Sequence, residues 1–264
     1  MIIRKSSDEL EAMARAGRVV VETIELVGEA IAPGVTTGEL DEIAEEHIRS
    51  QGGVPTFKGY RGFPASICAS PNSMVVHGIP GPYRLADGDT ISIDVGVTLE
   101  GFVGDSAYTF AVGDVDPETQ RLLEACQAAL AGAIAEARAG NHVGHLSAAV
   151  QRVTEEAGFS IVRSLVGHGV GRSMHEEPQV PNYGEAGRGP KLSPGMTLAI
   201  EPMITAGGGE VFVADDGWSI STSDGSLAAH FEHTVAITEG EPRVLTQPPV
   251  GASEARELAS RAKP

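Results

Sequence analysis

Two aspartates lie in the otherwise apolar segment 90–110, TISIDVGVTLEGFVGDSAYTF, whose alternation is typical of a β-hairpin. A two-residue loop at Leu99 and Glu100 would place Asp94 directly opposite Asp105, with both side chains on one face. Like charges that oppose each other across two strands destabilise the pair. A shared proton, an arginine, a bound cation or a solvated face can each offset the repulsion. The hairpin alone favours the solvated face slightly over a metal site.

Three more polar side chains extend this pattern in the second half of the chain. Glu201 in LAIEPMI and Glu232 in HFEHTVAI lie within apolar, strand-like runs, and His168 lies in the glycine-rich segment GHGVGRSMHEEP. A single strand glutamate usually faces solvent and a loop histidine usually bonds backbone, but buried charges must be paired or bound to metal. Together, four carboxylates and one imidazole suit a pair of divalent ions such as Mn, Fe(II), Co or Zn.

Helix signals precede strand-like segments twice along the chain. Ser6 with Glu9 predicts a capping box for a first helix, and Thr36 or Thr37 can cap a second. After the hairpin, Asp116 followed by proline predicts a third helix, and the segment GHLSAAVQRVTEEAG predicts a fourth. Two helices followed by strands, twice over, predict an α+β fold of two halves related by a pseudo-two-fold axis.

The linker pattern bears on domain organisation. No stretch rich in proline and serine separates the halves, so we expect a single domain over residues 1–247, with halves of about 1–112 and 113–247. The remaining segment, 248–264, is expected to be a peripheral tail or a terminal helix.

Composition excludes several classes of protein. The chain has 264 residues, of which 41% are hydrophobic, enough for a real core, and no run approaches the roughly 18 apolar residues of a membrane span. The charged N-terminus is unlike a secretory signal. A net charge of -17 argues against specific or broad nucleic-acid binding, since basic residues are scattered. With neither a membrane span nor a secretory signal, we expect a cytoplasmic protein. Cys68 and Cys126 lack metal-ligand spacing, and a cytoplasmic chain keeps its thiols reduced, so we expect two free thiols.

Six longer motifs run along nearly the whole chain: YRGFPASICASPN, VVHGIPG, ISIDVGVTLEGFVGDSAYTF, GHGVGRSMHEEPQVPNYG, LSPGMTLAIEPMI and FEHTVAIT. Together they resemble the motifs of the type I methionine aminopeptidases. The resemblance implies the pita-bread fold, in which two αβ halves surround a curved antiparallel sheet, in agreement with the repeat described above. It also implies removal of the N-terminal initiator methionine from nascent proteins and peptides when the next residue is small.

The resemblance also implies a ligand set for two divalent metal ions, which are Co, Mn, Fe(II) or Zn. The implied ligands are Asp94, Asp105, His168, Glu201 and Glu232. Asp105 and Glu232 are expected to bridge the two ions. Metal-activated water is expected to attack the scissile carbonyl, with Glu201 as general base.

Two histidines and an apolar pocket complete the implied site. His175 in MHEEP is expected to stabilise the developing oxyanion, and His77 in VVHGIP to contact the scissile amide, although each alone reads more readily as a loop histidine. Aromatic and sulfur-containing side chains suit a methionine thioether, and each is also a common core residue. The implied pocket residues, besides these two histidines, are Phe57, Tyr60, Phe63, Cys68, Met174 and Trp218.

Three positions depart from the family's pattern. Ser73 and Val76 stand where an acidic residue and a cysteine are common, and Met174 stands where an aromatic residue is frequent. The implied metal ligands are untouched, so the departures concern pocket shape and preference for the residue after methionine.

The remaining histidines, including His142, His145, His230 and His233, have no matched catalytic role, and we interpret His233 as structural. His233 follows Glu232 on a strand and should therefore face the opposite side of the sheet.

Three functions are compatible with a pita-bread chain. The motifs favour a methionine aminopeptidase that acts as a monomer on the N-terminal methionine of nascent polypeptides, with at most a local, transient contact to the ribosome. Relatives that cleave X-Pro bonds usually carry an extra N-terminal domain, whereas this chain starts with the helices of the first half. Pita-bread modules that only bind other proteins typically lose metal ligands, whereas all of the implied ligand positions are filled here.

Overall fold

The structure is a computed structural model that describes residues 1–247. The predicted tail, 248–264, lies outside the described residues. Within the described part, antiparallel sheets are covered by helices, which confirms the predicted α+β class. The predicted single domain and its boundaries stay predictions.

Long helices begin where the capping signals predicted them. Ser6 and Glu9 form a capping box for the first helix, Thr36 and Glu39 form one for the second, and the Asp116 side chain accepts two backbone N–H groups of the third. The described helices are α1 (Ser7–Ala30), α2 (Thr37–Ser50), α3 (Pro117–Glu136) and α4 (Val143–Glu156), with a short 3₁₀ helix at Tyr60–Gly62.

The described strands form one four-stranded, two three-stranded and one five-stranded sheet. In chain order they are β1 (Val54–Pro55), β2 (Cys68–Pro71), β3 (Met74–Val76), β4 (Thr90–Leu99), β5 (Phe102–Ala111), β6 (Ser160–Ile161), β7 (Val166–Gly169), β8 (Glu176–Pro181), β9 (Thr197–Ile200), β10 (Met203–Thr205), β11 (Val211–Val213), β12 (Ile220–Thr222), β13 (Ala228–His230), β14 (His233–Ala236) and β15 (Arg243–Val244). Helix α1 packs on β4 and β5, whereas α3 packs on α4 and on strands of the second half.

The β4–β5 hairpin differs in register from the prediction. Leu99 pairs with Phe102, so the turn is Glu100-Gly101, and Asp105 lies opposite Gly96 rather than opposite Asp94. Both turn residues have positive φ, 52° and 78°, as a type I′ turn requires, and glycine adopts that conformation readily. The shift is two residues, so both aspartates still share a face, and they lie on a diagonal.

The two glutamates lie at strand breaks and not inside strands, which corrects a second expectation. Ile200 pairs with His233 and Met203 pairs with His230, so the register across the break places Glu201 opposite Glu232. Proline at position 202 has no N–H for a ladder bond, so the two strands separate locally there. The direct opposition predicted for the aspartates is therefore found between the glutamates.

The halves meet along β5 and the chain at 230–234, where side-chain hydroxyls supply most of the hydrogen bonds. Thr109 Oγ1 accepts the N–H of His230 at 2.9 Å and donates to its carbonyl at 2.8 Å. Thr234 Oγ1 likewise accepts the N–H of Asp105 at 3.2 Å and donates to its carbonyl at 2.8 Å. Ser106 Oγ donates to the Glu232 carbonyl. We call these three side chains, Thr109, Thr234 and Ser106, the hydroxyl seam.

Separate apolar clusters stabilise the two halves. One cluster joins α1 and α2 to the first-half strands, and another joins α3 and α4 to the second-half strands. A third cluster lies beneath the site described below and includes Phe57, Phe63, Cys68 and Met174. No helix among residues 1–247 is long and apolar enough to cross a membrane.

Candidate metal centre and substrate cleft

All of the site residues predicted from the sequence line one cleft of about 280 Å³. The first half contributes the aspartates, His77 and most of the aromatic residues, and the second half contributes the glutamates, His168, Met174, His175 and Trp218. The cleft therefore lies between the halves, beside the hydroxyl seam.

Asp94, Asp105 and Glu232 at the base of the cleft are buried, Glu201 beside them is partly buried, and several of the buried oxygens have no hydrogen-bond partner. Asp105 is 1% exposed and Glu232 is 2% exposed. Within residues 1–247, no partner is found for Asp94 Oδ1, Asp105 Oδ1 or Glu232 Oε1. Burial raises the pKa of Asp105 to about 7 and raises the pKa of Asp94, Glu201 and Glu232 well above the usual range. In the last three, neighbouring acidic groups raise the pKa further, so this cluster is costly to ionise without a cation.

His168 lies on the central strand β7 with a defined orientation. Its Nδ1 lies 2.9 Å from the Gly169 carbonyl, so Nδ1 carries the proton and Nε2 is left with its lone pair. Nε2 lies 3.6 Å from Asp105 Oδ2 and 3.5 Å from Glu201 Oε1. Ligand atoms of Asp105, His168 and Glu232 lie within 4.8 Å of one another, and burial lowers the pKa of His168 to about 4. A neutral, oriented imidazole of this kind is typical of a metal ligand.

His175 and His77 lie at the walls of the cleft. The His175 ring is 4.3 Å from the His168 ring, centroid to centroid, and its Nδ1 is 2.8 Å from the Tyr60 hydroxyl. His77 has a φ of 60°, an uncommon conformation for a residue other than glycine. Gly78 makes the turn possible, since a Cβ there would lie 2.2 Å from the Ala69 carbonyl oxygen. Burial lowers the pKa of both histidines, that of His77 to about 4.

Aromatic and sulfur side chains form the apolar wall of the cleft. Phe63 packs edge-on against Trp218 at 5.2 Å and against Phe57 at 6.5 Å between ring centroids. The Phe57 ring lies against Gly96, where a Cβ would approach it to 2.7 Å. Glycine at 96 thus leaves room for the wall directly opposite Asp105. Cys68 pairs with Asp94 across β2 and β4, and both cysteines are free thiols, as predicted.

The structure adds residues that the sequence analysis did not single out. Arg61 lines the mouth of the cleft with its guanidinium 5.3 Å from the Tyr60 ring, and its φ is 50°. His230, for which the sequence indicated no catalytic role, is buried beside both glutamates, with Nε2 3.8 Å from Glu201 Oε2 and 3.9 Å from Glu232 Oε2. Its position two residues before Glu232 on a strand-like run was the signal that could have indicated a shared face.

His233 lies on the other side of the sheet, as its place in the strand predicted. It hydrogen-bonds Thr246 at 2.9 Å and lines a groove of about 900 Å³ between α1 and α3.

Residues 11–239 match the metallopeptidase family M24. The chain belongs to that family. This M24 metallopeptidase is similar to a curated protein named methionine aminopeptidase from Clostridium perfringens, with 49% identity over 93% of this chain and 99% of the relative.

Solved structures agree with the predicted pita-bread fold of the M24 metallopeptidase. A methionine aminopeptidase from Thermotoga maritima superposes with a TM-score of 0.93 at 41% identity, over 94% of this chain and 100% of that one. A prolidase from Pyrococcus furiosus shares the fold at a TM-score of 0.74 and 23% identity, over 93% of this chain and 66% of that one. The similarity to the prolidase extends to the fold alone.

Proposed function

We propose that this chain is a metal-dependent aminopeptidase that removes the N-terminal methionine from peptides and nascent proteins when the next residue is small. One observation carries the proposal: three buried carboxylates, the partly buried Glu201 and an oriented imidazole converge next to an aromatic and sulfur-lined wall in a single cleft. The methionine aminopeptidases to which the chain is similar support the same function.

The residues present fit a divalent metal centre. Oxygens of Asp94, Asp105 and Glu232 are buried without a hydrogen-bond partner in the described part of the chain, and His168 offers a free Nε2. An oxygen-rich donor set with one imidazole suits Mn, Fe(II), Co or Zn. Asp94, Asp105, His168, Glu201 and Glu232 would hold two such ions, and Asp105 and Glu232 would be the ligands shared between them. When bound, such ions supply Lewis acidity and a water of lowered pKa.

Protein groups around the scissile bond supply the proton transfers. Glu201 is the proposed general base, because its Oε1 lies 3.5 Å from His168 Nε2 and so faces the proposed metal centre. His175, held by the Tyr60 hydroxyl, is placed to stabilise the developing oxyanion, and His77 to contact the scissile amide. These roles require the substrate carbonyl to lie between the two histidines and the acids.

The apolar wall accounts for the proposed preference for methionine. Edges of Phe63 and Trp218, together with Cys68 and Met174, offer polarizable contacts to a thioether. The limited volume of about 280 Å³ favours one unbranched side chain followed by a small residue.

Peptide cleavage by metal-stripped protein tests this function. Met-Ala-Ser, Lys-Ala-Ser and Ala-Pro-Ser are each offered without metal and then with Mn, Fe(II), Co or Zn, under anaerobic conditions. We expect cleavage of the methionyl peptide alone, and only with metal. Cleavage of Ala-Pro-Ser instead would identify an X-Pro peptidase, and no cleavage with any metal would refute a peptidase function.

The finer properties belong to the same proposal. We propose two ions per chain, a cytoplasmic location, a monomeric state and a transient contact with the ribosome that delivers nascent chains. Metal analysis by mass spectrometry of protein purified without chelators tests the stoichiometry, and light scattering tests the monomer.

A further inference from the structure

His230 is the buried polar side chain near the cleft that the proposed mechanism leaves unused. It is 2% exposed, and neither ring nitrogen has a hydrogen-bond partner among residues 1–247. Its backbone is held on both sides, since Thr109 Oγ1 accepts its N–H and donates to its carbonyl. A buried imidazole with a fixed backbone and idle nitrogens needs an explanation, because unpaired buried polar groups are costly.

The ring nitrogen Nε2 faces the outer oxygens of both glutamates. It lies 3.8 Å from Glu201 Oε2 and 3.9 Å from Glu232 Oε2. Glu201 Oε1, by contrast, lies 3.5 Å from His168 Nε2. The Glu201 carboxylate therefore lies between two imidazoles, with His168 on the ligand side and His230 behind.

The surroundings determine which nitrogen of His230 carries the proton. An imidazole has an N–H on one ring nitrogen when it is neutral and on both when it is protonated. A proton on Nε2 points at two carboxylate oxygens, whereas a proton on Nδ1 would leave the Nε2 lone pair against them. The Nε2–H tautomer is therefore favoured, and closing the gap to a normal hydrogen bond of about 3 Å requires only a small side-chain movement.

We propose that His230 is a positioning residue that donates from Nε2 to the outer oxygen of Glu201, shared with Glu232, and so orients both glutamates toward the proposed metal centre. Both glutamates lie at a strand break, where no continuous ladder fixes them, so a donor behind the carboxylates supplies the constraint that the backbone lacks. Groups that hydrogen-bond metal ligands from behind commonly change metal affinity by about 10- to 100-fold when removed.

Three variants separate hydrogen bonding from packing. His230→Leu removes the donor and keeps the volume, and His230→Gln restores an N–H donor of similar reach. His233→Gln is the matched control, since His233 lies on the other side of the sheet and bonds Thr246. Co(II) affinity of metal-stripped protein is measured by calorimetry, with the visible Co(II) spectrum, kcat and KM for Met-Ala-Ser, and thermal unfolding without metal.

We expect His230→Leu to lower Co(II) affinity by about 10- to 100-fold and to lower kcat more than it raises KM. His230→Gln should recover most of the affinity, His233→Gln should leave it unchanged, and the saturated Co(II) spectra should match. An unchanged affinity in His230→Leu, or an equal loss in the Leu and Gln variants, would overturn the proposal. A spectrum that loses a nitrogen ligand would also overturn it, since His230 would then bind metal itself.

Two controls keep the result decisive. If His230→Leu does not fold, His230→Asn replaces it, because the asparagine amide is too short to reach Glu201. A Co(II) affinity of His230→Gln no higher than that of His230→Asn would then refute the role. The inference rests on the proposed metal centre. Absence of Co(II) binding by the unmodified chain would refute that centre and this inference together, whereas normal binding with an indifferent His230 refutes this inference alone.

Discussion

The two halves hold their acidic side chains in different ways. In the first half, Asp94 and Asp105 belong to strands of ten residues each, paired without interruption, and strand alternation alone directs both side chains into the cleft. In the second half, Glu201 and Glu232 lie opposite each other where the ladder is open. Short side chains on a rigid ladder thus face longer side chains on interrupted strands.

This difference shows two routes to one buried acidic cluster. An uninterrupted ladder fixes a side chain by the backbone, so little else is needed around Asp105 except the hydroxyl of Thr234. A strand break frees the direction of the side chain, so Glu201 and Glu232 depend on neighbouring groups, such as Asn182, which donates to the Glu201 carbonyl at 2.9 Å. We expect substitutions in the two halves to differ accordingly.

The largest effect is expected for Asp105→Asn, which removes the proposed bridging carboxylate from the rigid half. Hydrolysis of Met-Ala-Ser should fall by more than about 100-fold in kcat/KM, beyond the loss typical of groups that only support ligands. Metal-free protein should at the same time unfold at a higher temperature at neutral pH, because one of the mutually repelling buried acids is gone. Asp114→Asn, an exposed aspartate, is the control, and near-normal activity in Asp105→Asn would refute the ligand assignment.

The acidic cluster as a whole should make the stability of metal-free protein depend on pH. Burial raises the pKa of Asp94, Glu201 and Glu232 well above the unfolded value, so the folded state retains protons that the unfolded chain has lost. Stability should therefore fall as pH rises from about 7 to about 8.5, by about 1.4 kcal/mol per pH unit for each proton retained.

The buried histidines act in the opposite direction, but at lower pH. Burial lowers the pKa of His168 and His230 to about 4 and about 3, so these rings are neutral in the folded state and, above about pH 7, in the unfolded state too. Thermal unfolding across the range, with and without saturating Mn, measures the effect. Metal should remove the decline, and a decline that persists with metal would place its origin outside this cluster.

A smaller effect is expected where the hydroxyl seam supports the rigid half. Thr234→Val keeps the shape but leaves the N–H and carbonyl of Asp105 without their partner, at a cost of about 1–3 kcal/mol for each group. Thr90→Val on β4 is the matched control, because the buried Thr90 hydroxyl has no partner among residues 1–247. Urea unfolding should show a lower free energy of unfolding for Thr234→Val and almost no change for Thr90→Val. Equal losses in the two variants would mean that the hydroxyl seam adds nothing to stability.

The smallest effect is expected at the strand break itself. Pro202→Ala should lower stability by about 0.4–1 kcal/mol, mainly because the unfolded chain gains freedom. Co(II) affinity should stay close to normal, since a proline removes an N–H but does not hold the glutamates. Urea unfolding and calorimetry measure both, and a large loss of affinity would show that the break depends on Pro202.

Local signals in the sequence were sufficient for the helices. Ser6 with Glu9 and Asp116 with Pro117 act within a few residues, so their effect does not depend on the rest of the fold. The register of the hairpin was wrong by two residues because either Leu99-Glu100 or Glu100-Gly101 can make a two-residue loop, and the positive φ at Gly101 decides between them.

Motif and periodicity together singled out residues that lie close to one another in the fold. The thirteen residues singled out in advance share one cleft, but sequence patterns could not show that Glu201 and Glu232 leave the ladder, since both lie in apolar runs. His230 was missed for a different reason: its contact with Glu201 depends on the pairing between β10 and β13, which the sequence pattern does not specify.

The hydroxyl seam has a thermodynamic consequence. Asp94 and Asp105 lie on one side of it and His168 and Glu201 on the other, so cations held by all of them would cross-link two separately packed cores. A form of the protein in which the hydroxyl seam is open would separate the ligands and so bind such ions weakly. By thermodynamic linkage, a higher concentration of the ions would therefore lower the population of this open form. Limited proteolysis of the chain should thus become slower in proportion to the occupancy of the site.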